Sequence, residues 1–172
     1  MKKVIIIGSG GAGKSTLARK LSNATGIEIV HLDKLFWLPG WISITKEELA
    51  DKIKEIVVKD SWIMDGNYSG TMDMRMEAAD TIIYLDFPTI VCIWGILKRR
   101  IMYAGKGRPD VPDGCIEKMD MEFFNWVRTY RRRNRKKLLE MMDKHEKNKR
   151  VLVFRSRKQA DNFMNKLQKE LS

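Results

Sequence analysis

The hydrophobic pattern changes period repeatedly along the chain, and strand-like and helix-like stretches alternate. Residues 4–8 open with Val4-Ile5-Ile6-Ile7, a continuous β-branched run of the kind expected in a strand covered on both faces. Residues 14–23 have helical composition and stop near Gly26, and residues 27–32 read as a second strand. Residues 46–57 place Leu49, Ile53 and Ile56 on one helical face, with Thr45 as N-cap and Glu48 three residues on, a capping-box signature. Residues 62–64 and 81–85 predict a third and a fourth strand, the latter stopped by Pro88. A helix over 90–102, a Gly/Pro-rich loop at 104–114 and a long basic helix over 116–144 follow. A last strand at 151–154 and a closing helix over 159–171 complete the pattern. Strands alternating with helices predict a parallel sheet covered on both sides. The loop at 104–114 is the strong candidate for a mobile element.

Composition narrows the class. A length of 172 residues fits one domain over residues 1–172, long enough to bury a proper core. Hydrophobic content of 44% with 32% charged residues argues against wholesale disorder. Lys2 and Lys3 precede only a short apolar run before glycines, so no signal peptide is expected. The apolar stretch 90–97 is too short to span a bilayer. Cys92 and Cys115 are widely separated and have no histidine-rich company, so reduced thiols and a cytoplasmic location are expected. The net charge of +11 is uneven: residues 98–150 hold 17 Lys or Arg against 8 Asp or Glu. Such a block fits a solvated helix face, nucleic acid, or the phosphates of a nucleotide.

The strongest chemical signal is Gly8-Ser9-Gly10-Gly11-Ala12-Gly13-Lys14-Ser15, followed by Thr16. It fits G-x-x-x-x-G-K-[ST], lies directly after a buried strand and opens a helix. Glycines let the backbone curl so that successive N–H groups point at phosphate oxygens. The helix beginning near Lys14 adds the positive end of its dipole. Residues 8–16 are therefore expected to bind ATP, with Lys14 bridging the β- and γ-phosphates and Ser15 on Mg²⁺.

Four further segments accompany the loop in order: His31-Leu32-Asp33-Lys34-Leu35-Phe36-Trp37, Asp65-Gly66-Asn67-Tyr68, Leu85-Asp86-Phe87-Pro88 and Gly107-Arg108-Pro109-Asp110. With these the chain resembles the nucleoside monophosphate kinase, adenylate kinase and shikimate kinase group. It is most similar within it to bacterial proteins labelled DNA topology modulation proteins. The resemblance implies an α/β P-loop NTPase three-layer sandwich: a five-stranded parallel sheet in the order 2-3-1-4-5, helices on both faces, and a helical lid over about 99–135. It places Asp33 at the carboxyl end of the second strand, where it would bind the acceptor and accept a hydroxyl proton; the alternative is a turn cap. It makes Asp65 the carboxylate that holds water on Mg²⁺, in preference to Asp86. Adenylate kinases continue with Phe-Pro-Arg after Asp-Gly, whereas this chain has Asn67-Tyr68-Ser69 and its next arginine is Arg75. Either Arg75 grips the acceptor from a helix, or the acceptor is not a nucleoside monophosphate. Phe36, Trp37 and Tyr68 complete the expected acceptor site, with Trp41 divided between stacking and packing.

Phosphoryl transfer needs positive charge around the moving group. Arg99 and Arg108 are expected to supply it from the helix entering the lid and from its loop. Arg128, Arg132 and Arg135 share one face of the leaving helix. Arg131 and Arg133 are expected to be solvated. Lys14, Asp33, Arg99, Arg128 and Arg132 thus form the expected catalytic set, and Arg108, Arg155 and Arg157 add to the ATP site. The leading expectation is a small kinase with a small-molecule or nucleotide acceptor. A DNA-associated ATPase, or a nucleotide-dependent switch, is the alternative. The sequence shows no helix-turn-helix or zinc finger to favour nucleic acid.

Overall fold

A computed structural model of the chain describes residues 1–116 and 120–171. The first half runs β1 (Lys3–Gly8), α1 (Lys14–Thr25), β2 (Ile29–His31), α2 (Leu32–Phe36), β3 (Trp37–Leu38), β4 (Ile42–Ser43) and α3 (Lys46–Val57). It continues with β5 (Trp62–Asp65), a 3₁₀ turn at Ser69–Thr71, α4 (Met72–Ala78), β6 (Thr81–Leu85) and α5 (Thr89–Met102). The chain closes with α6 (Met121–Asp143), β7 (Arg150–Phe154) and α7 (Arg157–Leu171).

Five strands form one parallel sheet in the order β2-β5-β1-β6-β7, which is 2-3-1-4-5 when only its own strands are counted. The β-branched run of β1 explains its central place. Val4 and Ile6 pack toward α1, α5 and α7, while Ile5 and Ile7 pack toward α3, α4 and α6. All four are fully buried, each contributing about 1.5–3 kcal/mol of burial free energy. The chain leaves β1 toward one edge of the sheet and later returns to its other side. The carboxyl end of β1 is therefore a topological switch point, the place where such sheets open a crevice.

Three details depart from the sequence reading. The second strand ends at His31, and Asp33 lies in the first turn of α2 rather than at a strand end. Residues 37–43 form a short antiparallel hairpin; its two-residue strands are too short to leave a period in the sequence. The basic helix begins at Met121, capped by the Asp120 side chain, which accepts from the Phe123 N–H. Ile116 instead bridges Gly107, and residues 117–119 of the expected helix and lid lie outside the described residues. The expected Thr45–Glu48 capping box is present in both directions.

Candidate functional site

The turn after β1 is built against two helices. Gly11 has φ 74°, a conformation that favours glycine, and a Cβ on it would stand 2.2 Å from the Cys92 carbonyl oxygen. In return, a Cβ on Gly95 of α5 would stand 2.1 Å from the Gly11 carbonyl oxygen. Gly10 faces Phe123 and Val127 of α6 in the same close manner. The loop is thus clamped between backbone and side chains that hold its curl. Gly13 begins α1 in the left-handed region with no side chain capping the helix. The first-turn N–H groups of such a helix form a ready anion site.

A cleft of about 1110 Å³ opens over this loop. Gly10, Gly11, Ala12, Gly13, Lys14, Ser15 and Thr16 line it, whereas Gly8 and Ser9 are buried and do not. Lys14 Nζ donates to the Ser9 carbonyl at 3.1 Å. Burial pushes the Lys14 ammonium below its ordinary value, against the opposing pull of Asp65 and Asp33. Both carboxylates therefore lie within electrostatic reach of Lys14.

Each carboxylate is held differently. Asp65 and His31 are register partners on adjacent strands, and His31 Nδ1 lies 2.6 Å from Asp65 Oδ1. Asp33 accepts from the Tyr68 hydroxyl at 2.8 Å. Burial raises the Asp33 carboxyl above the ordinary aspartate value, and the Tyr68 hydrogen bond, Lys14 and Arg108 only partly offset it. Trp37 and Trp41 line the same cleft as Asp33.

The glycine- and proline-rich loop is folded down onto this site. Ser15 Oγ donates to Asp110 Oδ2 at 3.1 Å, and Arg108 Nη1 lies 3.5 Å from the same oxygen. Burial acts to raise the Asp110 carboxyl, but Arg108 and the Ser15 hydroxyl outweigh it and hold the group below its ordinary value. The Trp41 indole N–H donates to the Ile116 carbonyl at 2.9 Å, and the Cys115 thiol to the Leu38 carbonyl at 3.3 Å. Cys92 and Cys115 are both buried free thiols.

Several expected residues stand apart from the cleft. Arg75 is fully buried and does not line it. Its guanidinium donates to the carbonyls of Gly66 at 3.1 Å, Tyr68 at 3.1 Å and Asn67, and to the Thr71 hydroxyl at 3.2 Å. Desolvation lowers the Arg75 pKa to about 10, leaving it charged at neutral pH. It fixes the turn after β5 and stands outside the cleft lining. Arg128 and Arg132 are exposed and do not line the cleft. Arg131 and Arg135 turn inward instead, donating from Nε at 2.9 Å and 2.8 Å to the two oxygens of buried Asp86. The reason is helical phase: Val127, Tyr130 and Leu138 form the buried stripe, which Arg131 and Arg135 flank, with Arg132 farther round. Phe36 packs against Trp37 and Tyr68 at ring-centroid distances of 4.9 Å without lining the cleft. Arg155 is exposed away from the cleft, while Arg99, Arg108 and Arg157 line it.

The sequence alone assigns no role to His31, Asn67, Gly95 or Asp110. Asn67 joins the turn after β5 to Gly8 and accepts from the Tyr130 hydroxyl at 3.0 Å. An isolated glycine inside an apolar helix, as at Gly95, is itself a signal of close backbone approach. The other three carry no local signature, because their partners are distant in sequence.

The oxygen donors that line the cleft with Ser15 suit a hard cation. The Ser15 hydroxyl, with the Asp65 and Asp110 carboxylates lining the same cleft, offers the oxygen ligands that magnesium prefers. Among the described residues no group of three or more His, Cys, Asp or Glu is placed to hold a metal ion by itself. Among them, too, no helix is long and apolar enough to cross a membrane.

No protein-family model matches the chain, and no curated protein matches it in sequence. Solved structures do resemble it. Shikimate kinase from Acinetobacter baumannii in complex with shikimate superposes with a TM-score of 0.65 at 12% identity, over 99% of this chain and 92% of that one. Deoxyadenosine kinase from M. mycoides with bound dATP superposes with a TM-score of 0.56 at 17% identity, over 95% of this chain and 98% of that one. This chain has the fold of the small P-loop kinases, a parallel five-stranded sheet between two helical layers.

Proposed function

We propose that this chain is an ATP-dependent small kinase that transfers the γ-phosphoryl group to a hydroxyl held at Asp33. The observation that carries the reading is one cleft that joins two chemistries. The loop amides and Lys14 lie at the N-terminus of α1, and the Asp33–Tyr68 pair lies within electrostatic reach of Lys14. Gly10 to Thr16 would cradle the phosphates, and Lys14 would leave the Ser9 carbonyl to bridge the β- and γ-groups. Arg99 and Arg108, both lining the cleft, would carry the charge that develops during transfer. Arg157 would serve the nucleotide end. This reading assigns no contact with ATP to Arg128, Arg132 or Arg155, and none with the acceptor to Arg75 or Phe36.

Asp33 suits a general base. Its pKa is raised by burial, which brings it nearer the operating pH and improves its capture of a hydroxyl proton. Ser15 and Asp65 would hold a magnesium ion arriving with the phosphates. When bound, that ion neutralises phosphate charge. The two structural neighbours support the class: one kinase is described with bound dATP and the other with shikimate. The test is a screen of nucleosides, nucleotides and small hydroxylated metabolites for acceptor-dependent ADP release. ADP release stimulated by none of them would remove the kinase reading.

A second reading, a DNA-associated ATPase, would rest on one feature of the surface. With Arg131 and Arg135 turned onto Asp86, α6 still exposes Arg128, Arg132, Arg133 and Lys136 to solvent. Such a stripe would bind duplex weakly and without sequence preference, with affinity falling at a log–log slope of about −0.9 per phosphate neutralised. Strong stimulation of ATP hydrolysis by DNA at physiological salt would make this reading the better one.

A further inference from the structure

We infer that Asp110, carried by the loop over residues 107–116, is a positioning residue for the metal: it orients the Ser15 hydroxyl so that the oxygen's lone pairs face a magnesium ion brought with ATP. The inference rests on the nucleotide reading of the phosphate loop. It goes beyond that reading by tying the grip on the metal to a side chain 95 residues away in sequence.

The chemistry of the contact fixes its direction. Ser15 lies in the first turn of α1, and its Oγ stands 3.1 Å from Asp110 Oδ2. An ionised carboxylate accepts and cannot donate, so the hydroxyl proton points at Asp110 and the two lone pairs point elsewhere. A serine hydroxyl without such an acceptor rotates, and its proton then competes with the lone pairs for the side facing a cation. A carboxylate behind a metal ligand also makes that ligand more basic. The Asp110 charge is itself balanced, because Arg108 Nη1 lies 3.5 Å from the same oxygen. The carboxylate can therefore stay close to bound phosphates with its repulsion offset.

The loop is built to hold Asp110 there. Gly107 and Ile116 pair across its base as an antiparallel bridge. Inside it the Val111 N–H donates to the Arg108 carbonyl at 3.3 Å, and the Cys115 N–H to the Pro112 carbonyl at 3.2 Å. Arg108, Val111 and Cys115 are buried. The loop is also tied to the hairpin at residues 37–43: the Gly40 N–H donates to the Gly114 carbonyl at 3.3 Å, beside the Cys115–Leu38 and Trp41–Ile116 bonds. A side chain on backbone already ordered in this way orients its partner with little further entropy loss.

Two other roles for the same contact predict different behaviour. As a direct metal ligand, Asp110 would act whether or not Ser15 had a hydroxyl. As a plug that fills the nucleotide's place, its removal would tighten binding.

The test reads binding rather than turnover. A non-hydrolysable ATP analogue is titrated by calorimetry into the full chain, once with magnesium and once with EDTA. The ratio of the two affinities is the factor by which magnesium tightens nucleotide binding, and by linkage the factor by which the protein tightens the nucleotide's hold on magnesium. It is measured for the wild type, Asp110→Ala, Asp110→Asn, Ser15→Ala and the Ser15→Ala/Asp110→Ala double variant, with melting temperatures alongside. Asp110→Ala should lower the ratio by about ten-fold or more, the usual effect of losing a partner behind a metal ligand, while binding in EDTA is no weaker than in the wild type. In the Ser15→Ala background, removing Asp110 should change the ratio by less than about two-fold, the scatter of such cycles. Should Asp110→Ala fail to fold, Asp110→Asn, of the same shape and a weaker acceptor, should lower the ratio in the same direction. A ratio unchanged in folded Asp110→Ala, or a wild type indifferent to magnesium, would overturn the inference and leave the kinase reading standing. A loss that persists in Ser15→Ala would overturn it in favour of a direct ligand. Tighter binding of the magnesium complex by Asp110→Ala would overturn it in favour of a plug. A lowered ratio in a chain that phosphorylates no acceptor would uphold the inference and remove the kinase reading, and a wild type that binds no nucleotide would remove both.

Discussion

Asn67 and Gly8 exchange two hydrogen bonds through the Asn67 side-chain amide: the Gly8 N–H donates to Oδ1 at 3.2 Å, and Nδ2 donates to the Gly8 carbonyl at 2.9 Å. The amide thereby extends the pairing of β5 with β1 past the end of the strand and fixes where the phosphate loop begins. Tyr130 of α6 donates to the same Oδ1, so three elements meet at one side chain. Asn67→Ala should leave a partly buried N–H and carbonyl without partners and cost about 1–3 kcal/mol of stability. ATP affinity should fall with it, because the loop loses its anchor. Thermal unfolding and nucleotide titration check this together; unchanged values in both would mean that Asn67 does not position the loop.

Gly95 offers a sharper separation of loop geometry from stability. A methyl group there cannot coexist with the Gly11 carbonyl 2.1 Å away, whereas alanine is otherwise favoured in a helix by about 1 kcal/mol. Gly95→Ala should therefore push the loop out of its cradle and weaken Mg·ATP binding, with secondary structure retained. Calorimetric titration with a non-hydrolysable ATP analogue reads the effect. Wild-type affinity in the mutant would contradict the clamp.

Two aspartates at the carboxyl ends of β5 and β6, the strands on either side of β1, invite opposite expectations. Asp65 lines the cleft beside His31, while Asp86 is buried under Arg131 and Arg135 outside it. Asp65→Asn should abolish most magnesium-dependent turnover. Asp86→Asn should lower the melting temperature, through weakened charge-assisted hydrogen bonds worth about 1.5–3 kcal/mol each at most, while ATP binds nearly as before. The reverse pattern in a magnesium titration of turnover would move the metal site to Asp86.

Asp33 carries a pH prediction with a definite sign. Burial raises its pKa in the folded chain above the ordinary aspartate value. The folded state thus holds the proton more tightly than the unfolded state, and stability falls as pH rises through the window between the two values. Above that window the ionised carboxylate costs stability. Asp33→Asn should raise the melting temperature at neutral pH and lose that advantage at acid pH, while turnover collapses. In the wild type, the acid limb of kcat/KM should lie above the ordinary aspartate range. A mutant less stable at neutral pH, or an acid limb at the ordinary value, would contradict this placement of Asp33.

The parts of this molecule legible in sequence are those whose cause is local. The β-branched run of β1, the Thr45–Glu48 box and the glycine loop each depend on neighbours within a few residues, and each occurs where the pattern predicts it. The sheet order followed from motifs taken in sequence. Arginine placements were legible only in part: Arg99, Arg108 and Arg157 line the cleft, whereas Arg75, Arg128, Arg132 and Arg155 do not, because an arginine's partner is set by tertiary packing. Arg75 looks like an acceptor-gripping residue until four backbone and side-chain oxygens of its own turn surround it. Arg128 and Arg132 share a helical face, yet the buried stripe of α6 turns that face outward and brings Arg131 and Arg135 onto Asp86. The hairpin at residues 37–43 was hidden by its brevity, and with it the anchored position of Trp41.

Lys14 bears on the central claim most directly. Lys14 lines the cleft at the start of α1, within electrostatic reach of Asp33 and Asp65, and its proposed work is to stabilise charge on the γ-phosphoryl group. Transfer of label from γ-labelled ATP to the acceptor found in the screen should be measured for the wild type and for Lys14→Ala, with melting temperatures alongside. Loss of one such electrostatic contact should reduce the rate by on the order of 10²–10³, with the fold intact. Undiminished transfer by a folded Lys14→Ala chain would contradict the account, because the phosphate loop would then have no part in the chemistry.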